Sequence, residues 1–191
     1  RWFEVDLCYA YHPLNAFEDD RGRVVVDLVR HPKMFDRDRR GPNDGATRLE
    51  RWTIDPAAGR VQEETLDDTS VELPRMDERR LGRPYRFGYA MEAGDTFAHG
   101  GAVKYDLAVG TTERHEFGAG RMTLEPVFVP RAEGSGEDEG WILSYVYDAG
   151  TDRSDVVILA ADDFTGDPVA TIHLPQRVPF GFHGNWVPSR G

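Results

Sequence analysis

The sequence has little of what several common classes of protein need. It contains one cysteine, Cys8, so an intramolecular disulfide and a cysteine-rich zinc site are both excluded. No stretch approaches the roughly 20 apolar residues of a membrane-spanning helix. Basic residues are outnumbered, 23 Lys and Arg against 34 Asp and Glu, which gives a net charge of −11. That balance argues against nucleic acid as a partner, because phosphate binding needs clustered Lys and Arg.

Helical periodicity is scarce as well, and no amphipathic helix longer than two turns is predicted. Instead, 20 Gly and 12 Pro separate short stretches that alternate in polarity or are rich in β-branched and aromatic residues. This pattern is typical of antiparallel all-β structure, and 39% hydrophobic residues suffice for a folded core. The predicted strands are Trp2–Tyr11, Val24–Arg30, Arg48–Ile54, Tyr85–Met91, Gly101–Leu107, Arg114–Phe117, Pro126–Val129, Trp141–Tyr147, Val156–Ala160 and Val169–Leu174.

Two loops and a weak repeat complete the outline. Residues 32–44 are predicted to form a loop with a short helical turn at Lys33–Phe35, and residues 132–140 a solvated hairpin loop. A strand–turn–strand pattern around Trp52 recurs around Tyr105, 105 − 52 = 53 residues later. This spacing is near that of a four-stranded propeller blade, so it favours a radially repeated sheet over a sandwich.

Six histidines are candidates for chemistry. Four are predicted to be ordinary: His31 to end a strand and cap a turn, His99 to lie in a loop, His115 to be exposed on a polar strand, and His173 to be a structural strand residue. The other two, His12 and His183, lie in apolar and aromatic surroundings with almost no local charge. Each is either a core histidine satisfied by one hydrogen bond or a metal ligand, since neutral imidazole suits Fe, Cu, Zn or Ni.

Two glutamates also stand out because they lie within apolar strands. These are Glu72, between Val71 and Leu73, and Glu125, next to Leu124. A carboxylate is costly to bury unless it is paired. They either lie on exposed edge strands or accept the second ring N–H of a metal-bound histidine, which fixes its tautomer.

Four motifs in order along the chain resemble the carotenoid cleavage oxygenases, whose relatives include the lignostilbene dioxygenases and the animal retinoid isomerase. The motifs are His12-Pro13-Leu14-Asn15-Ala16-Phe17-Glu18-Asp19, preceded by Phe3; Glu72-Leu73-Pro74-Arg75; Leu124-Glu125-Pro126-Val127-Phe128-Val129-Pro130; and Phe180-Gly181-Phe182-His183-Gly184. Residues 138–186 look like the closing segment of the family, so the resemblance covers essentially the whole chain.

The resemblance implies a seven-bladed β-propeller with Fe(II) on its axis, held by four histidines that three glutamates orient. His12 matches the third ligand and His183 the fourth, while Glu72 and Glu125 match two of the three glutamates. By their order, Glu72 would orient His12 and Glu125 would orient His183. The implied activity is a dioxygenase reaction, the O2-dependent cleavage of a C=C bond in a carotenoid or apocarotenoid to aldehyde or ketone products.

The first two ligands of the family have no match here. We therefore expect residues 1–191 to be the C-terminal part of one propeller domain, inactive and unable to hold iron without the upstream part. The alternatives are cleavage of a stilbene or phenylpropanoid, isomerisation on the same scaffold, or a propeller that acts only as a binding module. Phe180, Phe182 and Trp186 line a substrate tunnel or pack the propeller. We expect a cytoplasmic protein whose transient membrane contact is hydrophobic, since its charge disfavours anionic lipid.

Overall fold

A computed structural model describes residues 1–39, 45–94 and 99–188, and this part of the chain is almost entirely β-structure. Two single 3-10 turns, Glu78–Arg80 and Ala161–Asp163, are its helical elements. The strands are β1 Pro13–Glu18, β2 Val24–Arg30, β3 Arg48–Asp55, β4 Arg60–Asp67, β5 Val71–Met76, β6 Phe87–Ala93, β7 His99–Asp106, β8 Thr111–His115, β9 Arg121–Thr123, β10 Val127–Pro130, β11 Gly140–Asp148, β12 Arg153–Ala160 and β13 Ala170–His173. Within these ranges no helix is long and apolar enough to cross a membrane.

The strands form three separate antiparallel sheets, each a meander of consecutive strands. Sheet 1 has the order β1-β2-β3-β4 and sheet 2 the order β5-β6-β7-β8. Sheet 3 has the order β10-β11-β12-β13, and β9 also pairs with β11. Tight turns make these meanders possible: between β3 and β4, Asp55 accepts the amide N–H groups of Ala57 and Ala58, and Gly59 has a φ of +67°.

Sheet 2 lies between the other two, and the apolar core fills both interfaces. Against sheet 1 the buried side chains are Leu14, Val29 and Leu49 on one side and Val71, Met76, Ala90, Val103 and Tyr105 on the other. Against sheet 3 they are Tyr89 and Ala102 facing Phe128, Ile142, Val146, Val157, Leu159, Ala161 and Phe164. Each sheet thus buries its apolar face against a neighbouring sheet, as the blades of a propeller do.

The all-β prediction is confirmed, and most predicted strands are present with shifted ends. The two copies of the predicted repeat occupy equivalent strands. Trp52 lies on β3, the third strand of sheet 1, and Tyr105 lies on β7, the third strand of sheet 2. Residues 131–139 connect β10 to β11, so the hairpin loop predicted at 132–140 is present except that Gly140 already begins β11. Residues 32–39 form bends without the helical turn expected at Lys33–Phe35, and residues 40–44 of that predicted loop lie outside the described residues.

The strand predicted at Trp2–Tyr11 is wrong. This segment is extended but has no ladder, apart from a single bridge between Tyr9 and His31. Trp2 is 99% exposed, so no sheet face among the described residues covers it. The actual first strand begins at Pro13, because the antiparallel pairing with β2 starts there and leaves His12 at the strand's entry.

Candidate metal centre

The two histidines singled out in the sequence meet in the structure. His12 directly precedes β1, and His183 lies in the irregular segment that follows β13. Their ring centroids are 5.0 Å apart, with the rings edge to face. The side chain of His12 is 24% exposed and that of His183 is 58% exposed. Both imidazoles therefore border the same open space.

Glu72 is the buried carboxylate beside His12. A β-bulge in β5 begins at Glu72, and the next residue, Leu73, has a φ of +49°, a left-handed conformation that costs a non-glycine residue about 1–2 kcal/mol. Glu72 Oε2 accepts hydrogen bonds from His12 Nδ1 at 2.7 Å and from the Leu73 amide at 2.7 Å. The strained backbone at Leu73 thus places the Leu73 amide within hydrogen-bond distance of the Glu72 carboxylate.

The Glu72 carboxyl remains charged despite its burial. Burial acts to raise its pKa, but the hydrogen bonds from His12, His31 and the Leu73 amide outweigh that effect and bring the pKa down to about 2. At neutral pH it is therefore an acceptor for the imidazole N–H groups around it.

Glu125 plays the corresponding part beside His183. It lies between β9 and β10 and is 6% exposed. Its Oε1 accepts from His183 Nδ1 at 3.1 Å and its Oε2 accepts from the Gly184 amide at 2.7 Å. Arg75 Nη1 lies 3.1 Å from the same Oε1. The contacts expected from residue order, Glu72 with His12 and Glu125 with His183, are both present.

Arg75 also fastens the segment that carries His183. Its Nη1 donates to the Gly184 carbonyl at 3.1 Å, and its Nη2 lies 3.3 Å from Asn185 Oδ1 and 2.6 Å from Glu78 Oε1. Because residues 178–188 have no strand or helix of their own, side-chain contacts of this kind set where His183 lies.

The donor set fits a metal that prefers imidazole nitrogen. Each Nδ1 faces a buried carboxylate, so it carries the proton and leaves the Nε2 lone pair available. Neither Nε2 has a hydrogen-bond partner among residues 1–39, 45–94 and 99–188. The same ranges contain no group of three or more His, Cys, Asp or Glu that could hold a metal ion. The described part of the chain thus brings together two oriented imidazoles and no further candidate ligand group.

His31 is the site residue that sequence reasoning missed. It was predicted to end a strand and cap a turn, and it does follow β2, but it is 2% exposed and its Nε2 lies 2.5 Å from Glu72 Oε1. The contact depends on the pairing of β1 with β2 and on the approach of β5. Neither is readable from the residues around His31.

The remaining histidines lie elsewhere. His115 was predicted to be exposed, which is wrong: it ends β8 buried at 7% exposure, with its Nδ1 3.1 Å from the Phe164 carbonyl. His99 was predicted in a loop and instead begins β7. His173 lies on β13, largely exposed, 2.8 Å from Asp155.

Two cavities adjoin the histidine pair. One of about 450 Å³ is lined by Tyr11, His12, His31, Phe35, Glu72, Leu73, Met91, Gly181, Phe182 and His183. The other, of about 310 Å³, lies toward sheet 3 and includes Glu125, Phe182, His183 and Trp186 in its wall. Phe182 borders both. Phe180 lies outside both linings and packs against Tyr147, with ring centroids 5.3 Å apart.

Comparison of the chain with known proteins identifies its family. The family model described as retinal pigment epithelial membrane protein (RPE65) matches residues 1–188. The chain is also 42% identical over 200 residues to a carotenoid cleavage oxygenase of Mycobacterium tuberculosis, across 99% of this chain and 40% of that protein. The chain belongs to the RPE65/carotenoid oxygenase family.

Two further members extend the comparison. The crystal structure of a cobalt-substituted ACO, the apocarotenoid oxygenase of Synechocystis, superposes with a TM-score of 0.89 at 33% identity, over 98% of this chain and 41% of that one. An isoeugenol monooxygenase of Pseudomonas nitroreducens is 30% identical over 98% of this chain and 43% of its own length. The chain spans about 40% of the carotenoid oxygenases it matches, and its three open sheets are blades of a partial propeller.

Proposed function

We propose that this chain provides two of four histidine ligands to an Fe(II) that serves the oxidative cleavage of a C=C bond by O2 in a carotenoid or apocarotenoid. The observation that carries the proposal is the convergence of His12 and His183, 5.0 Å apart, each with Nδ1 on its own buried carboxylate. An imidazole held in this way is the usual form of a metal-bound histidine.

The residues divide the work between binding and orientation. His12 and His183 would hold iron through Nε2, while Glu72 and Glu125 keep the proton on Nδ1 and fix each ring. Bound Fe(II) supplies the redox chemistry that activates O2. In this proposal His12, His183, Glu72 and Glu125 all serve to hold and orient the metal, so the part these residues play is to bind and position.

Two further ligands and the rest of the ring would come from chain beyond these 191 residues. We propose that residues 1–191 and that further chain form one propeller domain, with no separate second domain. The relatives are about two and a half times as long as the chain, which leaves length for the remaining blades.

The substrate we favour is an apolar polyene. Most of the larger cavity wall is apolar or aromatic, with Phe35, Leu73, Met91 and Phe182 beside the histidines, and such a wall suits a hydrocarbon chain. The relatives named for carotenoid and apocarotenoid cleavage support the same class. The isoeugenol monooxygenase keeps a phenylpropanoid or stilbene substrate as the second candidate.

The test uses the full-length protein with His12→Ala and His183→Ala. Both variants should lose bound iron and product aldehyde, while His173→Ala, an exposed histidine outside the site, should keep them. Iron content by elemental analysis and product by mass spectrometry are the measurements. Retained iron and turnover in either site variant would contradict the proposal. Absence of metal from the wild type would favour a binding module, and an isomerised product without cleavage would favour an isomerase.

We also propose a cytoplasmic protein that touches membranes only transiently and through apolar contact. The net charge of −11 supports the second part, since an anionic membrane surface would repel the chain. Sedimentation of the full-length protein with neutral phosphatidylcholine vesicles should exceed that with phosphatidylserine vesicles. The opposite order would contradict an apolar contact.

A further inference from the structure

His31 is a buried polar group to which the proposed function assigns no role. Its backbone N–H donates to the Tyr9 carbonyl at 2.8 Å and its carbonyl accepts from the Tyr9 amide at 2.9 Å. The ring of Tyr11 lies edge-on to its imidazole, with centroids 5.3 Å apart. His31 is thus held at its backbone and at its ring while its Nε2 reaches Glu72.

The two oxygens of Glu72 have different partners. Oε2 accepts from His12 and from the Leu73 amide, whereas the hydrogen bond of Oε1 is the one from His31. The terminal torsion of a glutamate is broad and roughly two-fold, so one occupied oxygen does not fix the carboxylate plane. A donor on Oε1 holds that plane and leaves Oε2 directed at His12.

The Glu125 pair shows the same plan with a different residue. Glu125 also accepts from one imidazole and one backbone amide, and it forms an ion pair with one further side chain, that of Arg75. Each carboxylate thus has a third partner, although His31 lies on the Glu72 oxygen opposite to that of His12, whereas Arg75 lies on the same Glu125 oxygen as His183. Two buried carboxylates that each have an imidazole, a backbone amide and a further side chain as partners argue for a requirement and not for an accident of packing.

We propose that His31 is a positioning residue of the metal site, which orients Glu72 and through it the Nε2 of His12. The proposal rests on the proposed function, because it assumes that His12 binds metal. It adds a residue outside the proposed ligand set, one that directly follows β2, whereas Glu72 lies on β5 and Glu125 between β9 and β10.

The experiment measures Co(II) binding to the metal-free full-length protein by visible absorption, with thermal unfolding of the metal-free form in parallel. His31→Leu should weaken Co(II) affinity by about tenfold or more, the usual range for partners behind a ligand. His31→Gln, whose amide N–H can reach Oε1, should recover most of it. His115→Leu is the matched control, since it also removes a buried histidine at a strand end; it should lower the unfolding temperature and leave Co(II) affinity unchanged.

Three results would overturn the role of His31: wild-type affinity in His31→Leu, no recovery in His31→Gln, or affinity that follows unfolding temperature in every variant including His115→Leu. If His31→Leu does not fold, His31→Asn replaces it, because that amide is too short to reach Oε1. His12→Ala is titrated alongside. Wild-type Co(II) affinity in His12→Ala would contradict the proposed function itself, whereas the same result confined to the His31 variants contradicts only this inference.

Discussion

The charge around Glu72 differs from that around Glu125, and a single residue, Arg75, makes the difference. Glu125 lies against the permanent cation of Arg75, whereas the side-chain partners of Glu72 are the imidazoles of His12 and His31. The negative charge of Glu72 is therefore less compensated locally. A less compensated carboxylate makes its histidine a more basic ligand.

Glu72→Gln and Glu125→Gln should both weaken metal affinity in the full-length protein, on the order of 10–100-fold. The loss should be larger for Glu72→Gln, because its charge contributes more to the basicity of His12 than that of the Arg75-paired Glu125 contributes to His183. Co(II) titration ranks the two variants. An equal loss, or a larger one for Glu125→Gln, would contradict the charge argument.

His115 predicts a pH effect outside the site. Burial lowers its pKa below 6.5, against the opposing influence of Glu116 and Asp167, so the folded protein holds fewer protons here than the unfolded one. Stability should therefore fall as pH drops from about 6.5 towards the lower folded pKa, the window in which only the unfolded state gains the proton. His115→Gln should remove this part of the dependence in urea unfolding between pH 5 and 7. An unchanged slope would show that other groups account for it.

At the scale of elements, strand β5 contributes to both histidine–glutamate contacts, that of His12 with Glu72 and that of His183 with Glu125. Its bulge presents Glu72 to His12 and, three residues on, Arg75 to Glu125 and the segment at Gly184. One strand of the middle sheet thus reaches sheet 1 in one direction and sheet 3 in the other. A change in this strand is therefore expected to affect the positions of both His12 and His183.

Arg75→Met should free the segment around His183, because it removes donors to Glu125, Gly184 and Asn185. Hydrogen exchange of residues 180–187 should become faster, and Co(II) affinity should fall. Arg86→Met is the control, since Arg86 pairs with Asp106 at an exposed position away from the histidines. Equal exchange in the two variants would contradict the role given to Arg75.

A strand could be predicted from the sequence where its local residue pattern is sufficient, and could not where its pairing partner decides. β2, β3, β11 and β12 carry alternating or β-branched runs between clear turn signals, so local pattern sufficed. Trp2–Tyr11 has the same pattern but lacks a partner strand among the described residues, and β9 is three residues long, below any readable period. Pairing partners decide such cases, and a single sequence does not contain them.

At the scale of the whole molecule, the site joins all three sheets. His12 comes from the entry to sheet 1, Glu72 from sheet 2 and Glu125 from sheet 3. The ordered motifs predicted which glutamate faces which histidine. They did not predict the third donors, His31 and Arg75, because those contacts depend on strand register and on how one blade packs against the next.

The 191-residue chain alone should bind Co(II) far more weakly than the full-length protein, since it offers two imidazoles. It should also bind a hydrophobic dye, because Trp2, Leu7, Phe182 and Val187 are each at least 70% exposed. Fluorescence of the dye and Co(II) titration compare the two proteins. Equal metal affinity would mean that the remaining propeller contributes no ligands.

The separation of His12 and His183 along the chain sets the time between their synthesis on the ribosome. They are 183 − 12 = 171 residues apart, and synthesis at about 5–20 residues per second puts roughly 10 to 30 seconds between them. All three sheets leave the ribosome before His183 does. A nascent chain thus cannot bring these two imidazoles together until the strands of all three sheets have been synthesised.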